Sequence, residues 1–257
     1  MPENDLRLLM DAARTAGEIA SPFWRQSPKT WEKDAGAGPV TEADLAVDEM
    51  LKDRLLAARP DYGWLSEETE DGAARLDKSR VFIIDPIDGT RAFLAGEKTW
   101  SHSLAVAENG KITAAVVYLP LRDELFSASI GAGSFLNDAQ LQLADRDKLE
   151  GATVLSSRPN LDAIHWHGGA LPVERHFRSS IAFRLALIAQ GRFDAMLTLR
   201  DSWEWDVAAG SLIASEAGAG VTDRDGWAPV FNKETPKLAG FFAAPKGIHA
   251  QLVERLR

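Results

Sequence analysis

Two aspartates stand three residues apart in the segment Asp85-Pro86-Ile87-Asp88-Gly89-Thr90, and their carboxylates are the side chains best suited to do chemistry. Like charges this close repel each other, and a hard cation that prefers oxygen ligands, such as Mg²⁺, relieves the repulsion. The proline fixes its own φ and removes a backbone donor, while the glycine allows a ligand to approach the backbone closely. This segment therefore predicts a rigid acidic turn that binds metal.

The stretches on either side of this turn predict the elements that position it. Val81-Phe82-Ile83-Ile84 has the length and β-branched content of a buried strand, so we expect a strand that ends at the turn. Residues 90–94 predict a short helix whose first N–H groups face an anion. A metal and an anion at one turn indicate phosphate chemistry.

Composition limits the possible partners. The chain has 257 residues and 45% apolar content, enough for one large core or two packed subdomains. Its net charge of −9 disfavours nucleic acid and anionic membranes, because both bind through summed positive charge. The absence of cysteine excludes disulfides and thiolate chemistry. The N-terminus lacks a signal-peptide pattern, so we expect a cytoplasmic protein without nucleic-acid or membrane partners.

The rest of the chain alternates helical and strand patterns, which indicates an α/β fold. Thr41 and Asp44 form a capping-box pattern at the start of one helix, and Asn109-Gly110 predicts a hairpin. A glycine-rich loop is predicted at residues 36–39 and a turn-rich region at 131–143. We predict helices over residues 5–26, 41–59, 181–189, 205–217 and 247–256, and strands over residues 102–107, 112–118, 124–129, 153–156, 193–199 and 241–244.

The charged piece at residues 145–150 is the best candidate for a boundary, which divides the chain into subdomains 1–145 and 146–257. The first carries most of the candidate metal ligands, and the second carries Asp206 and the leaving-group side of the pocket. This division rests on composition alone.

Several of these residues also have a purely structural interpretation. Glu67-Glu68 alone indicates a solvated loop, and Asp44 alone indicates a helix cap. An acid such as Asp206 at a helix start is favoured by the helix dipole whether or not it binds metal. His165 and His167 do not share a face of a predicted helix and indicate surface residues. Three tryptophans could pack in the core or line a pocket: Trp100, Trp203 and Trp205.

Four motifs together point to one enzyme family. In chain order they are Thr41-Glu42-Ala43-Asp44, Glu67-Glu68, the segment from Asp85 to Thr90, and Trp205-Asp206-Val207-Ala208-Ala209-Gly210. With these motifs the chain resembles the inositol monophosphatase superfamily over most of its length. The resemblance implies an α/β layered fold, a five-layer αβαβα sandwich of the inositol monophosphatase and fructose-1,6-bisphosphatase type.

The resemblance also implies a Mg²⁺-dependent phosphatase that uses two or three ions to hydrolyse a small phosphate monoester. Asp44 and Thr90 draw the proton from the attacking water, and the Gly89 and Thr90 N–H groups hold the phosphate. Glu67 serves both in catalysis and as a ligand. Lithium sensitivity and a homodimer are implied by the resemblance alone. The metal ligands that it implies are Glu67, Asp85, the carbonyl of Ile87, Asp88 and Asp206.

The residues on the leaving-group side of the pocket determine which phosphate ester is the substrate. Inositol monophosphatases usually carry a glutamate seven residues before the Trp-Asp aspartate, where this chain has Leu199. The stretch from Arg178 to Arg184 is similar to that of bacterial 3′(2′),5′-bisphosphate nucleotidases, which tend to have a basic residue at the position of Arg91. Extra cations suit a substrate with two phosphates. The predicted substrate-binding residues are Gly89, Thr90, Arg91, Ser180, Arg184 and Asp206.

The preferred substrate is therefore 3′-phosphoadenosine 5′-phosphate. Inositol 1-phosphate is the first alternative. Histidinol phosphate is the next, because Asp-Gly-Thr-Arg-Ala-Phe is also similar to some histidinol-phosphate phosphatases. A reading from another class is a protein-interaction role in RNA-processing or transcription assemblies.

Overall fold

The computed structural model describes residues 2–33 and 38–257. Residues 36 and 37 of the predicted glycine-rich loop lie outside the described residues. In chain order the helices are α1 (Pro2–Ala20), α2 (Glu42–Ala58), α3 (Thr90–Leu94), α4 (Ile181–Ala189), α5 (Glu204–Glu216) and α6 (Lys246–Arg255). The strands are β1 (Thr30–Glu32), β2 (Pro39–Thr41), β3 (Gly63–Ser66), β4 (Arg80–Asp88), β5 (Ser101–Glu108), β6 (Lys111–Leu119), β7 (Glu124–Ser129), β8 (Gly133–Leu136), β9 (Ala139–Leu141), β10 (Thr153–Leu155), β11 (Glu174–His176), β12 (Ala195–Thr198), β13 (Ser202–Trp203), β14 (Ala219–Thr222), β15 (Lys237–Leu238) and β16 (Phe241–Pro245).

Two main sheets organise the described part of the chain. The large sheet has the order β3-β4-β5-β6-β7-β8-β9, and the small sheet has the order β11-β10-β12-β16-β14. In the large sheet only the β3–β4 pair is parallel. The hairpin between β5 and β6 turns at Asn109 and Gly110, which both have positive φ, as a two-residue type I′ turn requires.

Strand alternation places an apolar layer on each face of the large sheet. In β4, Phe82 and Ile84 point to one side, whereas Val81 and Ile83 point to the other. Helices α1 and α2 cover the first side. Helices α4 and α5 cover the second side and also pack on the small sheet, whose opposite face is covered by α6. The layers thus follow the order αβαβα, and the predicted fold is confirmed.

Four local predictions differ from the structure. Strand β4 continues four residues beyond Ile84 and includes both motif aspartates. The turn-rich region contains β8 and β9, which extend the large sheet. Helix α1 ends at Ala20, and a 3₁₀ turn with Pro22 in its first positions follows, because proline does not continue an α-helix. His165 ends a 3₁₀ turn rather than lying on a helix.

The last strand of the large sheet, β9, ends at Leu141, and the first strand of the small sheet, β10, begins at Thr153. The predicted boundary at residues 145–146 lies between these two strands. Helices α4 and α5 contribute to one apolar cluster with strands of both sheets. The division into two subdomains stays a prediction. Within the described residues, no helix combines the length and hydropathy that a membrane span requires.

Candidate active site

Strand β4 delivers the two motif aspartates through an irregularity in its pairing. Its register with β5 is regular up to Asp85 opposite Ser103, shifts, and resumes at Asp88 opposite Ser101. Pro86 lies inside the shift, where its missing N–H costs no ladder hydrogen bond. Both aspartates are buried, at 1% and 6% exposure. The irregularity therefore places two carboxylates inside the protein at the end of a strand.

Gly89 lets the chain turn from β4 into α3. Its φ of 95° lies in the left-handed region, which favours glycine. A Cβ at this position would come within 3.4 Å of the backbone N and the Cβ of Ser180, so the start of α4 closes against the turn. The predicted acidic turn is thus held between two elements distant in sequence.

Helix α5 adds the third carboxylate. Asp206 lies in its first turn, and oxygen atoms of Asp85, Asp88 and Asp206 all lie within 4.8 Å of one another. Burial raises the pKa of all three, and their mutual repulsion adds to the rise for Asp85 and Asp206. The pKa of Asp88 rises to about 6, although hydrogen bonds from Ser180 and Ala182 oppose the shift.

This aspartate triad fits a divalent cation. The buried Asp85 Oδ1 has no hydrogen-bond partner among the described residues. An unpaired buried carboxylate oxygen is costly, and a cation that prefers oxygen removes that cost. The carbonyl of Ile87, another predicted ligand, accepts a hydrogen bond from Thr90 Oγ1 at 3.1 Å.

A pair of glutamates lies close enough to act on this triad. Glu67 follows β3 and raises the pKa of Asp85, Asp88 and Asp206 through its charge, in addition to the effect of burial. Lys33 Nζ lies 2.6 Å from Glu67 Oε1 and 2.7 Å from Glu68 Oε1. The glutamate pair is therefore half-buried and ion-paired with Lys33, and it is not a solvated loop. We call the segment from Ser66 to Thr69 that carries the pair the acidic arm.

The charges of this glutamate pair perturb each other. Burial, with the neighbouring charge of Glu67, raises the pKa of Glu68 to about 7, despite its bonds to Lys33. Burial alone would lower the pKa of Lys33, but attraction to and hydrogen bonds with both glutamates outweigh burial and raise it. The ammonium group therefore stays charged and partly neutralises the arm.

The position of Asp44 is compatible with both roles considered for it, the helix cap and the catalytic base. Thr41 and Asp44 form a capping box at the start of α2, with Thr41 N 2.9 Å from Asp44 Oδ2. The other carboxylate oxygen lies 3.2 Å from Thr90 Oγ1, whose single proton it shares with the carbonyl of Ile87. Burial raises the pKa of Asp44 to about 6, against the opposing hydrogen bonds from Thr41. A carboxylate with such a pKa, bonded to a hydroxyl, can act as a general base near neutral pH.

Ser180 does not have the environment expected of a substrate contact. It is fully buried, caps α4 by accepting from Phe183 N, and donates to Asp88 Oδ2 at 2.6 Å. Its oxygen also lies 3.0 Å from Ser101 Oγ. These bonds use the hydrogen-bonding capacity of the hydroxyl. Ser180 thus holds a carboxylate of the triad and has no free capacity for a substrate.

The two predicted arginines have contrasting environments. Arg184 is 6% exposed and donates from Nε and Nη2 to the carbonyls of Arg178 and Ser179. Burial lowers the pKa of Arg184 to about 10, and attraction to Asp88 opposes that shift. Arg91 is exposed and lies beside Gly38, and within the described residues it forms no ion pair with the acidic cluster.

Three residues near the site carried no sequence signal that we recognised. Lys33 binds the glutamate arm, Asp48 binds the hydroxyls of Ser66 and Thr69, and His102 lies behind the metal motif. The Nδ1 of His102 lies 2.5 Å from the carbonyl of Pro86, so Nδ1 carries the proton because a carbonyl only accepts. Burial lowers the pKa of this imidazole to about 4 and keeps it neutral.

Two of the three tryptophans, Trp100 and Trp205, are buried core residues, whereas Trp203 is partly exposed. Trp100 is buried and packs edge-on against Phe93. Trp203 is 37% exposed, stacks on Trp205 at 4.7 Å and has Lys237 Nζ 4.0 Å from its ring centroid. The stacked pair lies at the start of the helix that carries Asp206.

Comparison with known proteins gives consistent results. The sequence profile of the inositol monophosphatase family matches residues 1–257. An inositol-1-monophosphatase of Rhizobium meliloti is 38% identical over 231 residues, 86% of each chain. A Nus factor SuhB of Vibrio cholerae is 34% identical over 85% of this chain and 84% of its own. The solved structure of an IMPase from Thermotoga maritima has a TM-score of 0.81 at 28% identity and covers 99% of this chain and 96% of its own.

Proposed function

The chain belongs to the inositol monophosphatase family, and we propose that it is a Mg²⁺-dependent phosphatase with 3′(2′),5′-bisphosphate nucleotides as substrates. The observation that carries the metal-dependent reaction is the convergence of three carboxylates, two buried and one half-buried, with one unpaired buried oxygen among them. We assign the metal ligands to Asp85, Asp88, Asp206, Glu67 and the carbonyl of Ile87. When bound, Mg²⁺ ions lower the pKa of water and neutralise charge on the attacking and leaving oxygens.

The residues of the chain supply the proton path and the phosphate contacts. Thr90 Oγ1 passes a proton from water to Asp44, whose pKa of about 6 suits a base near neutral pH. The N–H groups of Gly89 and Thr90, at the start of α3, hold the phosphate oxygens. The ester is hydrolysed by direct attack of water, with no covalent bond to the protein.

Arg184 supports a substrate with a second phosphate. Its guanidinium is buried near Asp88 and Asp206, and within the described residues Nη1 has no hydrogen-bond partner. A buried guanidinium with a free donor fits an additional anionic group on the substrate. Leu199 packs with the apolar cluster under the small sheet and offers no acid for sugar-ring hydroxyls. These two residues favour the nucleotide over inositol 1-phosphate.

The experiment measures phosphate release from 3′-phosphoadenosine 5′-phosphate, inositol 1-phosphate and histidinol phosphate, with Mg²⁺ and with excess EDTA. We expect the nucleotide to exceed the others about a hundredfold in kcat/KM, roughly 2.7 kcal/mol in transition-state binding. Full activity in EDTA would contradict the metal assignment. Equal, slow turnover of all three would leave the metal chemistry standing but contradict the substrate.

A pair of variants tests the role of Arg184. We expect Arg184→Met to lower kcat/KM for the nucleotide by about 10–100-fold, the effect of losing a charged hydrogen bond, and to change inositol 1-phosphate turnover much less. Arg192→Met, an exposed arginine just after α4, is the matched control. Equal losses on both substrates would show that Arg184 does not read the second phosphate.

Two other functions have specific support. The Rhizobium meliloti relative is named an inositol-1-monophosphatase, which keeps inositol 1-phosphate as the second candidate substrate. The Vibrio cholerae relative is named a Nus factor, which supports a protein-interaction role in transcription as the alternative. The test is to express Asp85→Asn in a strain that lacks the protein. If this variant has no phosphatase activity but still restores the wild-type phenotype, the interaction role is the main one. Lithium inhibition, the homodimer and the cytoplasmic location stay predictions.

A further inference from the structure

Asp48 is a buried carboxylate that none of the family motifs includes. It lies one turn after Asp44 on α2 and is 7% exposed. Its Oδ1 accepts from Ser66 Oγ at 2.5 Å, and its Oδ2 accepts from Thr69 Oγ1 at 2.5 Å. Ser66 and Thr69 stand on either side of Glu67 and Glu68 in sequence. One carboxylate therefore holds both ends of the acidic arm.

The direction of these hydrogen bonds is set by Asp48. An ionised carboxylate only accepts, so both hydroxyls must donate to it. Their lone pairs are then left to accept, from Glu68 N at 3.4 Å and from Trp64 Nε1 at 3.2 Å. An asparagine of the same shape would place an NH₂ group against one of the two hydroxyls. That hydroxyl would have to turn its proton away from a buried site, at a cost.

The acidic arm needs such a tether because the negative charge of Glu67 is repelled by the nearby aspartates. Glu67 lies close enough to raise the pKa of Asp44, Asp85 and Asp206 through its charge. Like charges repel, so a loop carrying Glu67 would move away from the triad unless other bonds hold it. The backbone supplies one bond, from Glu67 N to the carbonyl of Ile84 at 3.2 Å. Asp48 ties the rest of the arm to α2.

Helix α2 also carries Asp44, which bonds Thr90 of the metal motif. The same rigid helix thus holds the candidate base at one turn and the candidate metal-binding arm at the next. We infer that Asp48 is a positioning residue that holds Glu67 at the metal site, an inference that rests on the proposed Mg²⁺-dependent function. Asp48 itself binds hydroxyls and is not assigned as a ligand.

The test is calorimetric titration of Mg²⁺ into the full chain, for wild type, Asp48→Asn and Asp53→Asn. Asp53 lies on the same helix and is exposed, so its variant controls for the loss of a negative charge from α2. We expect Asp48→Asn to weaken Mg²⁺ binding by about 10–100-fold, the usual effect of losing a partner that orients a ligand. Asp53→Asn should bind Mg²⁺ as the wild type does.

Activity assays separate positioning from a general structural effect. The Mg²⁺ concentration for half-maximal phosphate release should rise with the calorimetric Kd in Asp48→Asn, while kcat at saturating Mg²⁺ stays within about threefold of wild type. Asp48→Glu keeps the charge and restores Mg²⁺ affinity where its longer side chain still reaches both hydroxyls. Two further variants, Ser66→Ala and Thr69→Val, test the hydroxyls directly. Each removes one hydroxyl and should weaken Mg²⁺ binding less than Asp48→Asn does.

Three outcomes would contradict the inference. A lower Tm with wild-type Mg²⁺ affinity in Asp48→Asn would make the residue structural only. If Asp48→Asn fails to fold, unchanged Mg²⁺ binding in both hydroxyl variants would overturn the inference in its place. If the wild type binds no Mg²⁺, the proposed function fails and the inference fails with it, which distinguishes that case from the other two.

Discussion

The two ends of the acidic site balance their charge in different ways. At the glutamate end, Lys33 pairs with both Glu67 and Glu68. At the aspartate end, no lysine or arginine of the described residues forms an ion pair with Asp85, Asp88 or Asp206, and Asp85 Oδ1 lacks any partner. The protein therefore pairs a cation directly with one end only; at the aspartate end, the Arg184 guanidinium acts on Asp88 and Asp206 without forming an ion pair.

This difference indicates an order of metal affinity. A cation that binds the aspartate triad relieves repulsion and replaces nothing. A cation that binds Glu67 must share the carboxylate with an ammonium group or displace it. We therefore expect the tightest Mg²⁺ site at the triad, with Glu67 completing a weaker site. Four predictions test this difference between the two ends of the site.

The largest effect is expected from Asp85→Asn. We expect phosphate release to fall by more than about a hundredfold, the upper range for residues that only orient a metal ligand. The Tm of the metal-free protein should rise, because one buried unpaired charge is removed. A phosphate-release assay with Mg²⁺ measures the first effect, and a thermal melt in EDTA measures the second. A lower metal-free Tm would contradict our account of the triad as electrostatically strained.

The two glutamates should differ from each other. We expect Glu67→Gln to raise the Mg²⁺ concentration for half-maximal activity by about 10–100-fold, because Glu67 is the assigned ligand. Glu68→Gln should change it by less than about threefold. Glu68 is bonded to the same lysine, so the pair controls for loss of the ion pair. Equal effects would show that either glutamate can serve the metal.

Removal of the lysine should have a smaller and opposite effect. We expect Lys33→Met to tighten Mg²⁺ binding at the glutamate end by about three- to tenfold, somewhat more than an exposed ion pair is worth. Lys29→Met changes the same charge at an exposed position and should leave Mg²⁺ binding unaltered. Weaker binding in Lys33→Met would mean that the lysine supports the bound state and does not compete with the metal.

The smallest effect is a pH dependence of stability without metal. Glu68 has its pKa raised to about 7 and Asp44 to about 6, both above the ordinary values of 4.5 and 3.8. The folded state therefore binds more protons than the unfolded chain, and stability is lost as pH rises through that range. We expect the Tm in EDTA to rise on going from pH 8 to 6.5, by about 2–4 °C for each kcal/mol.

Saturating Mg²⁺ should flatten this pH dependence, because a bound cation stabilises the ionised carboxylates. A thermal melt series with and without Mg²⁺ measures the difference. The window stops at pH 6.5 because burial lowers the pKa of His102 to about 4. Below the ordinary histidine pKa of 6.5, the unfolded chain binds a proton that the folded protein does not, so His102 lowers the stability as the pH falls further. A metal-free Tm that falls over the same window would contradict the charge balance described above.

The parts of the fold that follow local patterns were predicted well. Helix α4 has the predicted bounds, Ile181–Ala189, because an apolar run after a serine N-cap is a local signal. The strands on either side of Asn109-Gly110 were predicted within one residue at each end. By contrast, β8 and β9 were missed, because their short segments are strands only through pairing with β7 and with each other.

The candidate site divides in the same way. The motif aspartates, the capping box of Thr41 and Asp44, and the start of α5 all lie within short segments that local chemistry defines. The roles of Lys33, Asp48 and Ser180 depend on partners 18 to 92 residues away in the chain. Such contacts carry no local pattern, so the sequence contains no signal at the position itself.

Four short motifs were enough to predict the family from the sequence, and the resemblance to that family implied the layer order. The spacing of Asp85 and Asp88 after an apolar run also predicted two carboxylates at the end of a strand. The balance of charges in the site, by contrast, depends on the tertiary structure. It brought Lys33 onto the glutamates, left Asp85 Oδ1 unpaired and turned Ser180 inward to Asp88. Electrostatic energy depends on distance and burial in space, and neither is encoded by separation along the chain.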